Sequence, residues 1–174
     1  LVLDNHPMDE KIYRKELFSS EMLLLAVPKS AKIPPDLQKF ALEHHDVLEG
    51  RQLLTQTYAV NIRDFMQNSF IALRHGNDTR IRMDMICEQS GFSPKIQLEV
   101  DQLTAYNIVC SNMGITLVSD TLITHTAPVP GVVYYKLDSE QLYRHSYFYY
   151  KNSSYVTRAM REFIRTGTSS FARS

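Results

Sequence analysis

Two short polar turns carry the residue types best suited to holding a small molecule. Arg74-His75-Gly76-Asn77-Asp78-Thr79 follows the apolar run Phe70-Ile71-Ala72-Leu73, and Asp101-Gln102-Leu103-Thr104 follows Lys95 to Val100. Gly76 lets a backbone approach a ligand closely. Asn77, Asp78 and Thr79 are good N-cap types and read as a helix start, where backbone N–H groups lack intrahelical partners and favour an anion. The hydroxyls of Thr79 and Thr104 and the amide of Gln102 can donate to a carboxylate without adding charge. His75 adds positive charge at low pH. The candidate binding set is therefore His75, Gly76, Asn77, Thr79, Gln102 and Thr104. Each also has a plainer reading as cap or turn chemistry. Asp78 would repel an anion, and Arg74 either grips a ligand bidentately or bridges Asp78 on the surface.

Catalysis fits these residues less well. Acid–base chemistry needs paired carboxylates, or a His with a carboxylate in a cleft, and His75 with Asp78 is the one local candidate. G-x-S-x-G, P-loop and G-x-G-x-x-G patterns are absent, so no enzyme is expected. The six histidines show no metal spacing, His44-His45 being adjacent, and neither metal nor cofactor is expected. Cys87 and Cys110 fall on apolar positions of two predicted helices. They read as buried reduced thiols, with a redox pair as the sharper alternative, although there is no CxxC and nothing basic flanks Cys110.

The elements that must position these turns run strand, helix, strand, helix, strand, short helix, strand from Phe70 to Leu137. The helix after Thr79 turns Ile81, Met85 and Ile86 inward, leaves Arg80, Arg82, Asp84 and Glu88 elsewhere, and closes at Ser90-Gly91. The second helix has Leu103, Tyr106, Ile108, Val109 and Cys110 as its apolar set and closes at Asn112-Met113-Gly114. Upstream, Leu1 to Asp4 is a strand, and Asn5 and His6 either form a surface loop or face the same crevice. Ile12 to Phe18 reads as an exposed strand, and Glu21 to Val27 as a separate strand buried on both faces. Pro28 to Gly50 is a connector holding a helix with Leu37, Phe40, Ala41 and Leu42 as its stripe. Val60 to Met66 is a short helical stretch with Ile62, Phe65 and Met66 on one side. Downstream, Tyr143 to Tyr150 is an aromatic strand whose exposed tyrosines are dimer-interface candidates. A helix from Tyr155 to Ile164 places Ala159, Met160, Phe163 and Ile164 inward, and Gly167 to Ser170 begins a frayed tail.

This order implies two crossings between lobes, one near Pro28 to Gly50 or slightly later and one near Leu137 to Arg144. They form a hinge and assign 1–66 with 138–174 to lobe one and 67–137 to lobe two. Hydrophobic residues make up 44%, enough for a packed core, and 19 basic residues balance 19 acidic ones. A domain that grips DNA would show a basic excess. No apolar run approaches the roughly 20 residues of a membrane span. Asp4, Asp9 and Glu10 interrupt the place of a signal peptide's apolar segment. The abrupt apolar start at Leu1-Val2-Leu3 reads as a chain whose natural sequence has further residues upstream.

The motif order resembles the effector-binding domain of LysR-type transcriptional regulators. Met22 to Lys29 resembles the strand closing the first part of lobe one. Phe70 to Thr79 resembles the strand and ligand turn that open lobe two, and Ser90-Gly91-Phe92-Ser93-Pro94-Lys95-Ile96 the family's Gly-Phe-x-Pro link. Glu99-Val100-Asp101 with Ile108-Val109 and Gly114-Ile115 resembles the next helix and strand, and Pro130-Gly131-Val132-Val133-Tyr134 the final loop and strand. The resemblance implies an α/β, two-lobed, periplasmic-binding-protein-like (type II) fold, with mixed sheets flanked by helices and a first lobe incomplete at its N-terminus. It implies a cytoplasmic sensor that binds a small, carboxylate-like effector between its lobes. It further implies a homodimer or tetramer that reaches DNA only through an N-terminal helix-turn-helix outside this chain, with no membrane partner. Departures are Ser119, where the family often has Pro, and Ser111-Asn112 before Met113-Gly114; these are expected to alter a turn and not the crevice. A solute-binding protein of a transport system and a redox sensor through Cys87 and Cys110 are the alternatives.

Overall fold

The computed structural model describes residues 1–5 and 7–171, with side chains to 168, so the reading of His6 lies outside the described residues. Two compact units emerge. One joins Leu1–Glu21 to the segment from Tyr143 onward, and the other is Met22–Leu142. The compact units divide at 21/22 and 142/143. The reason is a shared core. Met22 to Val27, Val47, Ile62 and Phe65 bury themselves in the same cluster as Phe70, Ile115 and Tyr135.

In the first unit, β1 (Val2–Asp4) runs antiparallel to β7 (Tyr143–Lys151), with Leu3 opposite Phe148. Strand β7 also neighbours β2 (Tyr13–Pro28), and links from Arg144 to Glu21, His145 to Ser20 and Tyr150 to Glu16 set it along the strand's first half. Helix α5 (Arg158–Phe171) continues through the expected tail. Gly167 explains this, because a Cβ there would meet the rings of Phe148 at 3.2 Å and Phe18 at 3.4 Å, so only glycine lets the helix lie so close. Ile164 is buried, whereas Phe163, expected inward, is exposed.

One 16-residue strand replaces the two expected between Ile12 and Val27. Its second half, Met22 to Pro28, is buried throughout, as a continuous apolar run requires when both faces are covered. There β2 pairs antiparallel with β5 (Thr116–Ser119), Leu23 opposite Ser119, and with β6 (Val132–Tyr135), Leu25 opposite Tyr135. Strand β3 (Phe70–Leu73) pairs parallel with β4 (Ile96–Val100) and joins β5 through a parallel bridge between Phe70 and Ile115. The second unit's sheet therefore reads β4-β3-β5-β2-β6.

Helix α1 (His44–Leu48) and two 3-10 turns, Pro35–Phe40 and Ile62–Phe65, replace the longer helical stretches read upstream of β3. Helix α2 (Asp78–Gln89) follows β3, α3 (Gln102–Cys110) follows β4, and α4 (Asp120–Thr124) follows β5. Alternate residues of β3 face opposite ways. Phe70 and Ala72 share a cluster with Met83, Ile86 and Cys87 of α2, while Ile71 and Leu73 share another with Ala105 and Ile108 of α3. Right-handed crossovers account for this, since the chain moves outward from β3 to β4 and then back across β3 to β5. The buried face of α2 is Thr79, Met83, Ile86 and Cys87, while Ile81 and Met85 form an exposed stripe at i, i+4. On α3, Ala105, Tyr106 and Val109 are buried and Leu103 is exposed.

Candidate functional site

The two polar turns leave the sheet side by side. Leu73 lies opposite Val100 in the parallel pair, and the Arg74 N–H donates to the Val100 carbonyl at 3.2 Å. From there α2 and α3 depart to opposite faces of the sheet. In the order β4-β3-β5 the switch point, where ligands lodge beyond the carboxyl ends of strands in open α/β sheets, falls one strand over, between β3 and β5.

At the tip of α2, Gly76 has φ +84° with open space where a Cβ would stand. Asn77 is the N-cap and accepts from the Thr79 N–H at 2.9 Å. Thr79 is buried, and Asp78 pairs with Arg82 at 2.8 Å. Arg74 therefore does not bridge Asp78. It is exposed and forms no ion pair among the described residues. His75 turns away from Asp78 as well, its Nε2 lying 3.4 Å from Glu99 Oε1 and 3.4 Å from an Arg80 nitrogen. The acid–base pair weighed from the sequence is not formed.

The tip of α3 carries its own anion. Asp101 caps it, accepting the Thr104 N–H at 3.0 Å and the Thr104 hydroxyl at 2.7 Å. These bonds hold its carboxyl below the usual aspartate range. Thr104 is thus committed as a cap. Gln102 reaches across instead, donating from Nε2 to Ser119 Oγ at 3.3 Å, and the same hydroxyl caps α4 by accepting the Leu122 N–H at 3.2 Å. The Ser119 departure consequently does more than alter a turn, because it ties the starts of two helices together. Asn112 closes α3 in the left-handed region at φ +62°, which an Asn tolerates better than most residues.

Sequence reading missed Arg80. It is 5% exposed, with Nε against both oxygens of Asp84 at 3.0 and 2.9 Å. Its Nη1 donates to the Leu73 carbonyl at 3.1 Å and to Glu99 at 2.7 Å. Burial works against the guanidinium's charge, but the bonds to Glu99 and Asp84 outweigh it and raise its pKa, while Arg80 in turn holds Glu99 low. One side chain so joins the end of β3, strand β4 and helix α2. The available signal was the Arg80, Asp84 spacing of i, i+4. Gln52 was missed too. It is buried, donates to Asp120 Oδ2 at 3.2 Å, and its Oε1 has no partner among the described residues.

Both thiols resist ionisation. Burial, then nearby Asp84, pushes Cys87 up to about 12, and burial raises Cys110 as well, which disfavours the thiolate that redox sensing requires. Asn5 lies in the first unit, lining a polar cavity of about 350 Å³ with Asp4, Glu21, Arg144 and Ser146.

Residues 1–171 match the family model of the LysR substrate binding domain. This chain belongs to that family. Among curated relatives it is 30% identical over 139 residues to the HTH-type transcriptional regulator CzcR of Bacillus subtilis (strain 168), covering 78% of this chain and 48% of that one. It is 27% identical over 127 residues to CzcR of Bacillus anthracis, covering 72% and 44%. The chain spans about half the length of the curated relatives it matches. Among solved structures, it is similar to the CcmR regulatory domain of Synechocystis PCC6803 in complex with 2-PG, with TM-score 0.68, 15% identity, and 97% of this chain and 72% of that one covered. It is also similar to the effector binding domain of QuiR in complex with shikimate, with TM-score 0.65, 14% identity, and coverage of 98% and 71%. A third is the BenM effector binding domain with its effector benzoate, with TM-score 0.62, 16% identity, and coverage of 99% and 70%. The fold is the expected α/β, periplasmic-binding-protein-like type II fold of LysR effector-binding domains. Among the described residues no helix is long and apolar enough to cross a membrane.

Proposed function

We propose that this LysR-family domain senses a small anionic metabolite at the carboxyl ends of β3 and β4. In the whole regulator, the bound state biases how a homodimer or tetramer packs, and thereby how DNA-binding heads carried elsewhere in the protein engage DNA. Such a protein works in the cytoplasm. The observation that carries the reading is the pair of helix starts emerging from neighbouring parallel strands, with the exposed cation of Arg74 beside the neutral cap of α2. Gly76 leaves room for a close approach, Asn77 and Thr79 shape the turn through their 2.9 Å bond, His75 stands exposed beside it, and Gln102 reaches in from α3. Thr104 serves by holding Asp101 in place. Shikimate and benzoate, named on two structural neighbours, are both carboxylates and set the class of probe. The regulator reading is preferred to a transport protein because the curated relatives are named HTH-type regulators. Function by binding is preferred on the same ground, those relatives being named HTH-type transcriptional regulators.

Isothermal titration calorimetry with benzoate, shikimate and a wider panel of small carboxylates tests this. Arg74→Ala is expected to weaken the best ligand about tenfold. Thr79→Ala is expected to weaken it as well. Failure of every carboxylate to bind the wild type would sink the anion assignment.

A further inference from the structure

Arg82 makes two bonds that lead away from the tip of α2. Its Nε donates to Asp78 Oδ2 at 2.8 Å, the i, i+4 spacing of neighbours on one helix. Its Nη1 donates at 2.8 Å to the main-chain carbonyl of Gln141, 59 residues further along the chain. The Arg82 side chain is 18% exposed and that of Asp78 20%, so the pair stands mostly out of water. An ion pair serving the helix alone would need neither that burial nor the second bond.

Gln141 occupies the last turn of the second unit. It is the middle residue of a 3-10 turn, Glu140–Leu142, and the chain crosses into the first unit at 142/143. Leu142 is buried in the core, and the Gln141 N–H donates to Ser139 Oγ at 3.2 Å. The other crossing, at 21/22, is also held from within the second unit. There the Met22 N–H donates to Oδ1 of Asp120, the first residue of α4, at 3.0 Å. Ser119, which caps α4, accepts from Gln102 at the tip of α3. Each tip is thus linked to one crossing, α2 through Asp78, Arg82 and Gln141, and α3 through Gln102 and the start of α4.

We propose that Arg82 is a positioning residue that couples occupancy of the α2 tip to the crossing at 142/143. The coupling rests on the assignment of that tip as an anion receiver. An anion there lies beside the Asp78 carboxylate, and the repulsion between the two is least when Arg82 is fully engaged with Asp78. The engaged guanidinium is the one that reaches Gln141. The bound state therefore favours the held turn, and the held turn favours binding in return. Arginine suits this role because its rigid planar fork serves two acceptors at once, which an ammonium on a flexible stem cannot reproduce.

The link is tested first without ligand, by NMR amide exchange in the 174-residue chain. Exchange at Gln141, Leu142 and Tyr143 is compared with that at Ile71, whose N–H bonds the Ile115 carbonyl at 2.8 Å within the sheet. Arg82→Gln should speed the three amides about tenfold relative to Ile71, whereas a general loss of stability would speed Ile71 as well. Asp78→Ala should speed them severalfold, and should add nothing once Arg82 is replaced. An Asp78→Ala effect that is absent, or that persists in the Arg82→Gln background, overturns the proposal. Saturating benzoate should then slow the three amides in the wild type and leave them unmoved in Arg82→Gln; slowing in both overturns the coupling. A carboxylate that binds while the double-variant comparison fails removes the link and leaves the anion site. A comparison that holds while no carboxylate binds removes the anion site, and the coupling of occupancy with it, and leaves Arg82 as the brace of the crossing.

Discussion

The tips of α2 and α3 start beside adjacent strand ends and are capped alike, yet they differ in charge. Asn77 caps α2 with a neutral amide, with exposed Arg74 in the turn before it and Arg80 anchoring the first turn to Leu73 and Glu99. Asp101 caps α3 with a carboxylate that Thr104 fixes from two sides. At α3 the carboxylate sits on the cap itself, whereas at α2 the cap is a neutral amide and the first-turn carboxylate, Asp78, is paired with Arg82 at 2.8 Å. On this view α2 is the receiving tip, and α3 contributes through Gln102 and Ser119.

The largest expected effect breaks the brace beneath the receiving tip. Arg80→Ala should destabilise the domain by about 2–3 kcal/mol in urea unfolding, below the usual range for a fully buried pair because Asp84 and Glu99 stand partly in water. Arg80→Lys should recover only part of this, since an ammonium cannot repeat the bidentate contact with Asp84. A loss under about 0.5 kcal/mol would show that α2 is not braced through this residue.

Next comes the cap itself. Asn77→Ala should cost about 1 kcal/mol in thermal unfolding. Asn77→Asp should leave stability nearly unchanged and weaken carboxylate binding severalfold in calorimetry, because it gives α2 the charge that α3 already has. Unchanged binding in that variant would remove charge as the distinction between the tips.

The smallest effect is a pH dependence. Asp101 is held below its ordinary value of 3.8, so its contribution to stability is fully present above that value and is lost as pH falls through the lowered folded-state value. Wild type should therefore exceed Asp101→Asn in stability by a constant amount from neutral pH down to about 4, and the gap should close below it. Glu99, held below 4.5 first by its bond from Arg80, follows the same sign. A gap that widened in acid would contradict the capping geometry at α3.

Much of the second unit was legible in the sequence because its signals are local. Phe70 to Leu73 and Met22 to Val27 are apolar runs too continuous for a half-exposed strand, and both are buried on both faces. The helix starts at Asn77 and Asp101 and the stop at Gly91 follow from cap chemistry within a few residues. The inward faces of the helices were less legible. Ile81 and Met85 looked like core because they are apolar, but the crossover direction points Met83 and Cys87 at the sheet instead. Arg80 looked like surface because it is charged, and it is buried only because Glu99 arrives from another strand to meet it.

Composition and pattern alone therefore determined the α/β class, the order of elements and the two polar turns, since each depends on residues close along the chain. Tertiary structure decided that the compact unit begins at Met22, that Ser119 meets Gln102, that Thr104 serves Asp101, and that the Tyr135 hydroxyl is left without a partner. Those outcomes depend on contacts between residues far apart in sequence. Which polar groups find partners is settled only when the strands have taken their places in the sheet.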